Sequence, residues 1–118
     1  MSYGFIYMLS NRAMPGLYKI GRTERSPSAR CDELSNPTGV PLPFDILFYA
    51  EMSNHVRAEL DVHQAFANQR LANNREFFRA DPVAVYQYVT FDATTVYTSP
   101  DMLLLLHRSQ ERPALEVV

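Results

Sequence analysis

The sequence predicts a small α/β domain: a mostly antiparallel sheet of three strands flanked by helices. Three observations predict it. Short apolar runs rich in aromatic residues are separated by turn-forming pairs, the first of them Pro15-Gly16. Ser26-Pro27 and Asp81-Pro82 each place a capping side chain before a proline, the usual opening of a helix. Between these pairs, Asn54 to Asn68 carries apolar residues at helical rather than strand spacing.

In chain order, Gly4 to Leu9 (GFIYML) reads as a first strand and Leu17 to Gly21 (LYKIG) as a second, close enough to form a hairpin. Ser26-Pro27 opens a helix that runs to Ser35. The loop from Asn36 to Pro43 follows, with three prolines and a glycine. Phe44 to Glu51 (FDILFYAE) reads as a third strand. On the Asn54 to Asn68 helix, Val62, Phe66, Glu59, His63, Val56, Ala67 and Leu60 fall within an arc of roughly 160° at 100° per residue. Glu59 therefore lies inside the apolar stripe, where an unpaired carboxylate is costly. Arg75 to Arg79 (REFFR) reads as an edge strand, and Asp81-Pro82 starts a helix to Thr90. Past Phe91 the pattern weakens. Ser99-Pro100-Asp101 caps a last helix through Arg108, and Glu111 to Val118 reads as a frayed tail. We therefore expect a principal domain over residues 1–92 and a C-terminal extension over 93–118.

At 118 residues the chain has the size of one domain. Apolar residues make up 47% and charged residues 20%, which argues against disorder. Its one cysteine, Cys31, excludes an intrachain disulfide and fits a reducing compartment. No run approaches the roughly 20 apolar residues of a membrane span, and Met1 to Gly4 lacks the start of a signal peptide. The expectation is a cytoplasmic protein with no membrane partner. A net charge of −2 excludes a global basic field, so any nucleic-acid contact must come from a local patch. The basic residues are ten arginines and one lysine, and arginine favours bidentate contact with phosphate. The first 30 residues hold Arg12, Lys19, Arg22, Arg25 and Arg30 against a single acid, Glu24. A second cluster, Arg70, Arg75 and Arg79, encloses Glu76.

The chemistry-bearing residues form an ordered set. Tyr7 lies on the first strand with Phe5 and Leu9 on the same face. Lys19 and Gly21 end the second strand, where glycine permits a sharp turn or the close approach of a phosphate. Arg30 lies one turn into the first helix, on its packed side, and Glu59 points inward from the second. Taken singly, Tyr7 reads as a strand aromatic, Lys19 and Arg30 as surface charges and His63 as an interfacial histidine. Their joint occurrence in order lifts the set above these single readings.

The order GFIY, LYKIG, Arg30, Glu59 resembles the GIY-YIG nuclease superfamily. The nearest branch is the phage type, the families named for a phage T-five reading frame and for a meiotically up-regulated yeast gene. The residues that carry the resemblance are MPGLYKIGRT (Met14 to Thr23), the ELS-x-x-TGVP-x-PF run (Glu33 to Phe44), E-x-x-x-H (Glu59 to His63) and REFF (Arg75 to Phe78). The family resemblance implies phosphodiester chemistry, which needs an activated water, neutralisation of the phosphoryl oxygens and help for the leaving oxygen. It implies that Tyr7 takes or relays the nucleophile's proton, that Arg30 contacts the scissile phosphate and that Glu59 holds one Mg²⁺ or Mn²⁺ ion. Lys19 stands where many members carry a second tyrosine. His63 is a ligand or base candidate one turn from Glu59, and Arg22, Arg25 and Arg75 are candidates for DNA contact. The sequence departs from the pattern in the displaced glycine of GFIY and in the lysine at the second tyrosine. Many relatives carry an asparagine after the acidic helix, a role open here to Asn73, Asn74 or Glu76.

The expected function is a metal-dependent endonuclease module that cleaves DNA with low intrinsic sequence specificity. Targeting would come from a protein partner or from recognition of DNA structure. A rival from another class is a non-catalytic DNA-binding module that retains the fold. A third reading makes Leu103 to Leu106 the contact of a homodimer or of a partner.

Overall fold

β1 (Gly4–Ser10), a continuous apolar run covered on both faces, and β2 (Tyr18–Thr23) form an antiparallel hairpin, in register from Phe5 opposite Thr23 to Ser10 opposite Tyr18. The structure is a computed structural model and describes residues 3–36, 40–71 and 76–111. On the other side of β1, β3 (Asp45–Met52) pairs antiparallel, with a register shift between Met8 and Leu9. Short strands complete both edges. β4 (Phe77–Phe78) pairs with Tyr18 and Lys19, and β5 (Thr95–Thr98) runs along β3 from Phe48 to Glu51. The sheet order is β4-β2-β1-β3-β5.

The sheet thus has five strands rather than the three expected. β5 escaped the sequence reading because TVYT is only four residues long, too short for alternation to stand out from a loop. The α/β class and the antiparallel pairing are as expected.

Helices cover the two faces unequally. α1 (Pro27–Ser35) opens as Ser26 Oγ accepts from the Ala29 N–H at 3.4 Å, with Pro27 in the first turn. It lies on the face where Tyr7, Leu9, Cys31 and Phe44 form a small buried cluster. Ser35 fastens its end: the Ser35 hydroxyl donates to the Cys31 carbonyl at 2.7 Å and accepts from the Phe44 N–H at 2.9 Å. The opposite face carries α2 (His55–Ala65), α3 (Pro82–Thr90) and α4 (Pro100–Glu111). Their Val62, Val85, Val89 and Met102 pack on Ile6, Met8, Ile20, Phe48 and Phe78 in the main core. Asp81 caps α3 through the Val83 N–H at 3.1 Å, and Ser99 Oγ accepts from the Met102 N–H at 3.1 Å as α4 begins. Both caps stand where the sequence places them.

α2 is shorter and turned relative to the sequence reading. It ends at Ala65, with Phe66 as its C-cap and a 3₁₀ turn over Ala67–Gln69. Its inward side is an arc of His55, Ala58, Glu59, Val62 and Phe66, while Val56 and Leu60 are exposed. The first residue decides this rotation. The His55 imidazole is fully buried under Gly4, so close that a Cβ there would fall 2.6 Å from the ring. A helix on one sheet edge cannot bury a 160° arc as well, so Val56 and Leu60 turn outward.

Leu105 and Leu106 pack toward the core, whereas Leu103 and Leu104 face solvent. Among the described residues, no helix is long and apolar enough to cross a membrane.

Because one hydroxyl ties the end of α1 to the start of β3, Ser35→Ala is expected to destabilise the fold by roughly 1–2 kcal/mol. A urea denaturation midpoint indistinguishable from wild type would show that water replaces both bonds without loss.

Candidate functional site

Tyr7 stands at the centre of β1, opposite Gly21 of β2, and its ring crosses that strand where it has no side chain. A Cβ on Gly21 would lie 2.5 Å from the phenol oxygen and 2.7 Å from Cζ. The tyrosine is almost fully buried, and burial is the main reason its phenol pKa is raised above the ordinary value of 10.0. The Arg30 guanidinium hydrogen-bonds the phenol and opposes that shift, while the negative charges of Glu76 and Glu59 add to it. Residues from β1, α1, α2 and the turn before β4 thus act on one oxygen.

β2 supplies the cations on either side of Gly21. Lys19, opposite Leu9, lies on the same face as Tyr7, and its side chain is only 12% exposed. Its Nζ sits 2.6 Å from Glu76 Oε1 and 5.2 Å from the centre of the Phe77 ring. Arg22 lies on the other face of β2, and its Nε donates to Glu59 Oε1 at 3.1 Å. The Glu59 carboxylate is 18% exposed, consistent with its inward place on α2.

α2 is pinned to the outer edge of β2. His63 Nε2 lies 2.8 Å from the Ile20 carbonyl, and the ring rests against Phe78. A carbonyl only accepts, so Nε2 carries the hydrogen. The Ile20 N–H also bonds away from β1, to the Glu76 carbonyl at 3.0 Å. His63, proposed from sequence as a ligand or base, thus holds through Nε2 the strand that carries Lys19, Gly21 and Arg22.

Four predicted cations of the site are each paired with an acid. Besides Lys19–Glu76 and Arg22–Glu59, Arg25 grips Glu33 at 2.7 and 2.9 Å, and Arg30 reaches the same carboxylate at 3.2 Å. Arg25 first, then Arg30, holds the Glu33 carboxyl below the usual carboxylate range. The exposed pairs on Glu33 add little to folding stability, so a competing anion can exchange for that carboxylate. Sequence reading left Glu76 undecided and missed Glu33 as a site residue, although its spacing of three from Arg30 on a helix is a usable signal. It also gave no role to His55, which the structure buries 3.6 Å from Glu24. Arg75, Asn73 and Asn74 lie outside the described residues.

Among the described residues, no three His, Cys, Asp or Glu side chains gather as a metal cage. Glu59 alone fits a hard divalent ion bound through one carboxylate, with water and phosphate oxygens filling the remaining positions, as Mg²⁺ commonly is. Arg22 occupies one oxygen of that carboxylate.

Two larger hollows lie elsewhere. A cleft of about 550 Å³ between α2 and α3 is walled by Arg57, Asp61, Tyr88 and Phe91. A groove of about 910 Å³ between α1 and β5 is walled by Asp32, Tyr49, Tyr97 and Asp101. Neither contains Tyr7, Lys19, Arg30 or Glu59. The set around Tyr7 stands apart from both, on the β2–β4 side of the sheet.

Adding one methyl group at Gly21 should displace the Tyr7 ring. Gly21→Ala is expected to lower stability by about 1–3 kcal/mol through overpacking and to change the near-ultraviolet tyrosine signal. An unaltered signal and denaturation midpoint would mean that the two residues do not touch.

No curated protein and no solved structure matches the chain. A family model, that of the T5orf172 domain, matches residues 4–91, from the start of β1 through α3. The match takes in the whole Tyr7 surface and most of the sequence, and the chain belongs to the T5orf172 domain family.

Proposed function

We propose that this chain is a metal-dependent endonuclease module of the GIY-YIG type that hydrolyses DNA phosphodiester bonds with low intrinsic sequence specificity. T5orf172 membership supports a nuclease-like or DNA-binding module. The observation that supports the finer reading is that the Tyr7 phenol oxygen lies against Gly21, the residue between Lys19 and Arg22 on β2, and is hydrogen-bonded by Arg30 from α1.

In this reading the scissile phosphate lies over the β2 edge. Arg30 and Lys19 neutralise its non-bridging oxygens, and Arg22, Arg25 and Arg75 hold the neighbouring backbone. A raised pKa keeps Tyr7 protonated at neutral pH, so its hydroxyl works as a relay. The phenol oxygen takes the proton of the attacking water as its own passes on to solvent water. Arg30, bonded to the phenol, orients that hydroxyl and keeps it beside the phosphate. His63 fixes the strand from which Lys19 and Arg22 project. One Mg²⁺ or Mn²⁺ ion on Glu59, when bound, polarises the phosphoryl group as a Lewis acid. Nothing in this set reads base edges, which is why we propose low sequence specificity. Targeting through a protein partner or a homodimer belongs to the same proposal. The solvent-facing Leu103 and Leu104 offer a contact.

Two substitutions test it. Glu59→Ala is expected to lose Mn²⁺-dependent nicking of supercoiled plasmid by at least about a hundredfold, with an unchanged circular dichroism spectrum. Cleavage at the wild-type rate would remove Glu59 from the mechanism. Wild-type protein that binds DNA but never cuts it at any Mn²⁺ concentration would instead establish a binding module. Arg30→Ala should weaken DNA binding and reduce the slope of log affinity against log salt by about one. An unchanged slope would place the phosphate elsewhere.

A further inference from the structure

Glu59 and Arg22 pose a problem of occupancy. The carboxylate is mostly shielded from water, so it needs a partner when no ion is present, and the Arg22 guanidinium fills that need through Nε at 3.1 Å. Arg22 holds Oε1, so a divalent cation on Glu59 must share the carboxylate with a guanidinium of like charge, and the two weaken each other's hold on it. Arg22 is 39% exposed, follows Gly21 directly in β2, and among the described residues its one ion pair is with Glu59. A DNA phosphate at the β2 edge would offer it a bidentate partner of the same charge as the one it leaves.

We propose that Arg22 is a positioning residue that occupies Glu59 in the free protein and yields it to the divalent ion when a phosphate takes the guanidinium, so that metal and nucleic acid bind cooperatively. This inference rests on the proposed nuclease reading of Glu59. It adds that the metal site is weak without DNA and is completed by it. Ion and phosphate each draw Arg22 and Glu59 apart, so each must tighten the other by the same factor. The free protein is then guarded against holding an armed ion without substrate.

The test is Mn²⁺ affinity, read from the electron paramagnetic resonance signal of free Mn²⁺. It uses the full chain in a Tyr7→Phe background that prevents cleavage, with and without a saturating 12-nucleotide single-stranded DNA. Without DNA, Arg22→Gln should bind Mn²⁺ about tenfold more tightly than its parent. Arg22→Lys, which keeps the charge, should remain weak. DNA should raise the parent's Mn²⁺ affinity by a similar factor and leave Arg22→Gln little changed. Equal Mn²⁺ affinity of parent and Arg22→Gln, or a DNA effect that persists in Arg22→Gln, overturns the exchange. A Glu59→Gln arm separates the two readings. If Glu59→Gln loses Mn²⁺ while Arg22→Gln gains nothing, only the exchange fails. If Glu59→Gln binds Mn²⁺ as its parent does, or no form binds it, the nuclease reading of Glu59 fails and the exchange with it.

Discussion

The passage of the Tyr7 ring over Gly21 is the contact on which the site depends. Strand pairing puts the two residues opposite each other, and the missing side chain lets a bulky aromatic lie across β2 rather than above it. Any other residue at position 21 would lift the phenol away from Arg30 and from the β2 edge. The same crossing accounts for the burial of the ring and for its raised pKa. A side chain that begins in an apolar cluster, between Leu9, Cys31 and Phe44, ends in a hydroxyl bonded to the Arg30 guanidinium.

Those charged groups answer a question raised by composition. A chain with a net charge of −2 has no field to draw in a polyanion, and the basic N-terminal third does not restore one, because its cations are matched by Glu33, Glu59 and Glu76. The folded surface is close to neutral until a ligand arrives. Under the proposed function, a phosphate would compete for guanidinium groups already in hydrogen-bonding geometry, a smaller reorganisation than collecting free side chains from water. The arrangement trades long-range attraction for positioning at short range.

Much of this was legible in the sequence, for identifiable reasons. Ser26, Asp81 and Ser99 cap helices where they stand because capping is a local interaction that neighbouring residues decide. Glu59 was conspicuous because helical periodicity alone puts it among apolar neighbours. What the sequence hid is non-local. β5 is made of strand-favouring residues, but so short a run becomes a strand only because β3 offers it an edge to pair with. The rotation of α2 is set by His55 meeting Gly4, residues 51 positions apart. Glu33 drew no notice and Glu76 stayed open between several roles, and only the folded hairpin shows that they hold the site's cations. Lys19, which reads as an exposed strand residue, is covered by Phe77 and Glu76 for the same reason.

The sheet order also separates what the chemistry needs from what the fold needs. The candidate site lies at the β2–β4 side, whereas β5 and α4, both beyond the family match, attach at the opposite edge through β3. Met102 nevertheless fills the core under Phe48, and β5 gives β3 a second hydrogen-bonding partner. β3 in turn aligns β1 along its length, from Gly4 to Ser10. The C-terminal elements therefore bear on Tyr7 through the position of β1 rather than by contact. Their surface can change in sequence without touching the phosphate-facing residues, provided the strand pairing and Met102 remain.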